Sequence, residues 1–102
     1  MIGRIWRGRV KLERLEEYLD YNGTAGLDEI ARQPGCVGVQ QFSAVDGDVA
    51  TVTTISYWES LDAMHAFHGV GLAVSHLDRD PEFLLEIPER VALVDVHVNS
   101  WR

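Results

Sequence analysis

The 102-residue sequence has one cysteine, Cys36, only three prolines, and no apolar run long enough to cross a bilayer. A lone cysteine cannot close an internal disulfide, so packing must hold the fold together, and a reducing compartment is expected. Arg4, Arg7 and Arg9 near the start are followed by no apolar segment. A secretory signal is therefore not expected, and the cytoplasm is the expected location. Basic residues are scarce: nine Lys and Arg face 16 Asp and Glu, a net charge of −7. Nucleic acids and anionic membranes, which are held largely through Lys and Arg, are not expected as partners. The chain also has no glycine-rich phosphate loop, no nucleophile elbow and no Cys-x-x-Cys pair. Kinase, serine hydrolase and thiol-redox chemistry have no residues to stand on.

What is present suits one globular domain spanning residues 1–102. Apolar residues make up 46% of the chain and charged residues 25%, and a chain of this length can remove roughly 60–70% of its unfolded surface from water. There is no internal repeat, low-complexity tract or linker.

The clearest local signal is Ile55-Ser56-Tyr57-Trp58-Glu59-Ser60-Leu61, where a spacing of two gives way to the spacing of three in Leu61, Met64 and Phe67. A strand hands over to a helix there, with Ser60 as its cap. Upstream, Gly3 to Val10 reads as a strand, with Ile2, Trp6 and Val10 on one face and Ile5, Arg7 and Arg9 on the other. From about Lys11 an amphipathic helix is expected. Leu12, Leu15, Tyr18, Leu19, Asn22 and Ile30 share one side, and Glu13, Glu16, Glu17 and Asp20 the other. Poor helix formers in Asn22-Gly23-Thr24-Ala25-Gly26 predict a kink or break, and Pro34-Gly35 ends the element.

Two strands, Cys36 to Val45 and Val49 to Tyr57, are expected to join at Asp46-Gly47-Asp48, a hairpin signal. Pro81 and Pro88 bracket Phe83, Leu84 and Leu85, which suggests a short helix or extended excursion over one end of the sheet. A last strand is expected from about Arg90 to Val98. The order is strand, helix, strand, strand, helix, strand.

This is the split βαβ, or ferredoxin-like βαββαβ, pattern of the α+β class: a four-stranded antiparallel sheet with both helices on one face. The other face would be open, carrying some of Ile5, Arg7, Val37, Val39, Thr51, Thr53, Ile55, Leu93 and His97. So much partly apolar surface usually marks an interface, and a homodimer that buries it is expected.

The chain resembles, over nearly its whole length, the antibiotic-biosynthesis-monooxygenase type of dimeric α+β barrel. The likeness rests on Ile5-Trp6-Arg7-Gly8, on Pro34-Gly35, and on Tyr57-Trp58-Glu59-Ser60-Leu61 with Ala63, Ala66, Phe67 and Gly69. The stretch from Asp80 through Phe83-Leu84-Leu85-Glu86 to Val91 is similar to a subgroup of small members. The resemblance implies a dimer whose sheets face each other and a cleft between sheet and helices in each subunit. It further implies oxygenases that work without a cofactor on phenols, quinols or anthrones, or haem-degrading proteins. In the haem-degrading branch an Asn, a Trp and a His act together; Arg7, Phe67 and His76 stand at the corresponding places here. Two of the three differ, so haem is kept only as an alternative to a cofactor-free reaction, with His76 as its ligand.

Several residues can be weighed individually. His68 falls between Leu61 and Met64, on the apolar side of the second helix, where a neutral imidazole could take a phenolic proton. The alternative is a histidine bonded to backbone at a helix end. His76, near the expected cleft mouth, is a second candidate base or else a plain loop residue. Trp58 and Phe67 would form an apolar wall for a small aromatic substrate, although Trp58 can equally serve as core. Asn22 either reaches the cleft or bonds backbone at the helix break. Arg7 and Arg9 share a strand face and could hold a carboxylate or phenolate; otherwise they are solvated or ion-paired. Asp62, His65 and His68 have the i, i+3, i+6 spacing of a metal site, but no second cluster accompanies them and no metal is expected. His97 is expected in the dimer interior.

Overall fold

The computed structural model describes residues 1–69, 71 and 77–100. Strand β1 (Ile2–Lys11) lies inside the sheet and pairs antiparallel with β3 (Val49–Trp58), from Ile2 opposite Trp58 to Lys11 opposite Val49. The far edge of β3 carries β2 (Cys36–Asp46), joined to it by the expected hairpin and bulged between Cys36 and Gly38. On the free edge of β1 lies β4 (Ala92–Asp95), opposite Ile2 to Ile5. The resulting order, β2-β3-β1-β4 with antiparallel neighbours, and the helices on one side form the ferredoxin-like arrangement read from the chain.

Alternation along β1 and β3 fixes which side is covered. Trp6, Gly8 and Val10 pair with Thr54, Val52 and Ala50, and all six are buried. Residues opposite one another in an antiparallel pair share a face, so this is the helix-covered side. Tyr18, Phe83, Leu84 and Val91 complete the core over it. Trp58 is fully buried at the strand-helix joint, its indole N–H donating to Ser56 Oγ at 2.9 Å. Removing about 200 Å² from water at about 25 cal/mol per Å² gives an upper bound of roughly 5 kcal/mol for that side chain.

The first helix is not broken. A 3₁₀ turn (Leu12–Arg14) leads into α1 (Leu15–Asn22), a π-helical turn over Gly23–Leu27, and α2 (Asp28–Ala31). The weak helix formers widen the spiral instead of interrupting it. A Cβ on Gly26 would sit 3.0 Å from Asn22 Oδ1 and 3.3 Å from Leu77 Cδ1, so the glycine makes room for the Asn22 side chain. Helix α3 (Leu61–His68) begins where Ser60 Oγ accepts the Ala63 N–H at 3.1 Å, and ends at Gly69. A short α4 (Asp80–Phe83) follows.

Two strand expectations need correction. The last strand has four residues, Ala92–Asp95, because β1 offers only part of its edge. Near Val10 that edge is already taken, by a bridge to Leu84 and by the Leu85 N–H bonding Arg9 O at 2.9 Å. The register also places Ala92 and Val94, not Leu93, on the open face with Ile5 and Gly3; Leu93 stands opposite Arg4 on the covered face. Val39, opposite Ser56, likewise belongs to the covered side.

Candidate functional site

Between the covered face of the sheet and the helices lies a cavity of about 250 Å³. Its floor is Arg4 and Trp6 of β1 with Thr54 of β3, three residues that strand alternation brings to one face. One wall is the end of α1, the π turn and α2, which together contribute Asn22, Ala25, Gly26, Glu29 and Ile30. The opposite wall is the end of α3, Phe67 and His68, with Leu77 and Asp80 closing the side. π turns are frequent at functional sites because the widened backbone re-aims side chains. Here the turn follows directly on Asn22.

The Asn22 side chain bonds other side chains instead of the backbone of the π turn. It is buried, and its Nδ2 donates to Gln41 Oε1 at 2.6 Å and to Thr54 Oγ1 at 3.1 Å. Gln41 in turn donates to Leu19 O at 3.2 Å. This chain of bonds ties the helix to β2 and β3 beside the cavity, so the position of the π turn relative to the sheet is defined by polar contacts as well as packing.

His68 is the last residue of α3. Its ring lies edge-on to Phe67, 4.7 Å between centroids, and to Trp58 at 5.5 Å. Its Nε2 is buried and, among the described residues, has no hydrogen-bond partner. Burial first, and the nearby Arg4 charge second, push its pKa down to about 4. The imidazole is therefore neutral at pH 7. Arg4 is half-buried, and burial lowers its pKa from the ordinary arginine value. No hydrogen bond or ion pair to it occurs among the described residues. The carboxylates nearby are engaged elsewhere. Glu29 accepts from Arg32 and Gln33, while Asp80 accepts the Tyr18 hydroxyl at 3.1 Å and the Leu77 N–H at 2.9 Å.

Of the residues singled out from the sequence, Asn22, Phe67 and His68 come together at this cavity. Trp58 does not reach it; it lies behind, stacked on Phe67 with centroids 6.2 Å apart, and stiffens the wall from the core side. Arg7 is on the opposite face of the sheet, exposed beside Thr53, because its parity in β1 is that of Ile5 and not of Trp6. Arg9 shares that parity and is ion-paired with Glu86 at 2.7 Å. His76 lies outside the described residues. His97 is exposed beyond β4. Among the described residues, no group of three His, Cys, Asp or Glu converges to hold a metal, so Asp62, His65 and His68 do not form one.

Arg4, Thr54 and Asp80 were missed from the sequence. For Arg4 the signal was available: it shares the strand parity of Ile2, Trp6 and Val10, which places it inward as firmly as Arg7 is placed outward. Thr54 faces inward because β3 pairs it with Trp6. A haem does not fit the described cavity. About 250 Å³ falls below the roughly 300–1,000 Å³ that drug-sized ligands occupy, and among the described residues the one imidazole lining it, His68, lies edge-on to two aromatic rings.

No model of a known protein family matches the chain, and no curated protein matches it.

Proposed function

We propose that the protein is a cofactor-independent monooxygenase acting on a small phenolic, quinol or anthrone-like aromatic bound in the cavity between sheet and helices. The observation that carries this reading is His68: a neutral imidazole with an unpartnered Nε2, beside an aromatic wall and at a cavity the size of a small ring system. A buried acceptor without a partner costs on the order of 1–3 kcal/mol, which a ligand hydroxyl would recover. In the reaction, the substrate hydroxyl or activated C–H gives its proton to Nε2, and the resulting anion passes an electron to dioxygen. Recombination forms a carbon–oxygen bond. Loss of water then leaves a carbonyl, so one oxygen atom stays in the product, the other leaves as water, and the substrate has lost two hydrogens, both from the methylene of an anthrone or one from the hydroxyl and one from the ring carbon of a phenol. His68 removes the proton, and Phe67 and Trp6 hold the ring.

Incubation with anthrone and quinol model substrates under air tests this. Quinone is expected to form faster than in buffer, with loss of the acceleration in His68→Ala; equal rates with and without protein would reject it. A second reading, a non-catalytic binding protein for the same ligands, is favoured by one feature. A base with a pKa of about 4 is weak at neutral pH, so it can accept a hydrogen bond without removing the proton. Binding without quinone formation would select that reading.

The same proposal takes a second copy of the chain as the partner of the open sheet face, where Phe42 and Val94 are 49% and 42% exposed and Ile5 and Ile55 lie between them. Among the described residues no helix is long and apolar enough to cross a membrane. The cytoplasm is the setting we infer from the lone cysteine.

A further inference from the structure

Arg4 is the unusual charge of this molecule. It projects from an inner strand to the covered side of the sheet, in the row that includes Trp6, Gly8 and Val10, where every other residue of the row is apolar. Among the described residues it has no counter-ion, although the chain carries a net charge of −7 and so has acidic groups to spare. Each of the four other arginines that are ion-paired has found a carboxylate near the surface. Arginine keeps its charge under all conditions of interest, and a cation held out of bulk water without a partner is a standing cost. The two acidic residues of the same cavity do not relieve it, since Glu29 is turned to Arg32 and Asp80 to Tyr18 and Leu77. Next to this cation is the second orphan of the cavity, His68 Nε2, an acceptor with nothing to accept.

We propose that the cavity selects aromatic ligands that carry a carboxylate, with Arg4 as the group that binds the carboxylate and His68 Nε2 as the acceptor for a hydroxyl on the same ring. A guanidinium meets a carboxylate through two parallel N–H donors, and such charge-assisted pairs are about twice as strong as neutral ones. The aromatic body lies against Trp6 and Phe67. The ligand class is thus a hydroxylated aromatic acid of one or two rings. This deepens the oxygenase reading by naming its substrate class, and it rests on that reading only for the location of the site.

Three probes separate the contributions: 1-naphthol, 2-naphthoate and 1-hydroxy-2-naphthoate, titrated by calorimetry or by quenching of tryptophan fluorescence. The hydroxy acid is expected to bind at least about tenfold more tightly than 1-naphthol, equivalent to about 1.4 kcal/mol, and more tightly than 2-naphthoate. In Arg4→Met the preference over naphthol should collapse, and Arg4→Lys should keep part of it. Equal binding of naphthol and hydroxy acid by the wild-type protein, a preference that survives Arg4→Met, or no binding of any probe would overturn the proposal. Should Arg4→Met fail to fold, the wild-type ratio and Arg4→Lys decide. Quinone formation is read separately. Oxidation of neutral quinols with no carboxylate preference would overturn this inference and leave the oxygenase reading standing, whereas carboxylate preference without oxidation does the reverse.

Discussion

At the scale of single residues, His68 links stability to pH. Its folded-state pKa of about 4 lies below the ordinary 6.5, so between those values the unfolded chain binds a proton that the folded protein does not. Stability associated with His68 is therefore complete above pH 6.5 and is lost as pH falls toward 4. Melting temperatures of wild type and His68→Gln between pH 7 and pH 4 should show a smaller fall for the variant; parallel curves would contradict the buried, neutral assignment. His68→Leu removes an unpartnered polar atom and should leave stability at pH 7 within about 1 kcal/mol of wild type. Asn22 behaves oppositely. Its amide joins Gln41 and Thr54, so Asn22→Leu strands polar groups and should cost about 1–3 kcal/mol in urea unfolding. Both residues stand on the apolar side of helices, and hydropathy alone could not tell the satisfied one from the orphan. That depends on what the sheet places opposite.

At the scale of elements, the handover from β3 to α3 joins two different kinds of constraint. Ser60 caps α3 from an exposed position, and Ser60→Ala should cost about 1 kcal/mol, the usual loss of an N-cap. Gly35 is held more tightly. Its φ is 82°, and a Cβ there would approach Ala63 Cβ to 2.5 Å, so the turn before β2 packs directly on α3. Gly35→Ala combines left-handed backbone strain with overpacking and should cost about 2–4 kcal/mol, well above Ser60→Ala, in the same denaturant measurement. If the two variants proved equal, the contact between turn and helix would not be what positions α3. Pro34-Gly35 was legible as the end of the first helix. Its packing against α3 was not, since Ala63 is distant in sequence and no local pattern couples the two.

At the scale of the whole molecule, the sheet is covered on one side and open on the other. With Phe42, Ala92 and Val94 on the open side, light scattering at micromolar concentration is expected to give the mass of a dimer. Phe42→Lys combined with Val94→Lys should give a monomer that is still folded by circular dichroism. A wild-type monomer would remove the second copy as the partner of this face. The charge balance of the chain points the same way as its surface: acids dominate the exposed helix faces, while the basic side chains of β1 divide between the open face and the cavity.

The order of elements, the ferredoxin-like class, the hairpin at Gly47 and the cap at Ser60 were determined by the sequence alone, because each depends on periodicity or local propensity over a few neighbouring residues. The site was only partly determined. Alternation along β1 is enough to put Arg4 on the face of Trp6 and Arg7 on the other, but whether an inward arginine meets a carboxylate, a wall or a cavity depends on elements far away in the chain. Tertiary packing alone decided that Asn22 is bonded across to β2 and β3, that Trp58 stands behind the cavity, and that Arg4 and His68 share it without partners. It decided these because hydrogen bonding and charge pairing are settled by which groups come within a few ångströms, and those distances follow from the register of the sheet and the seating of the helices.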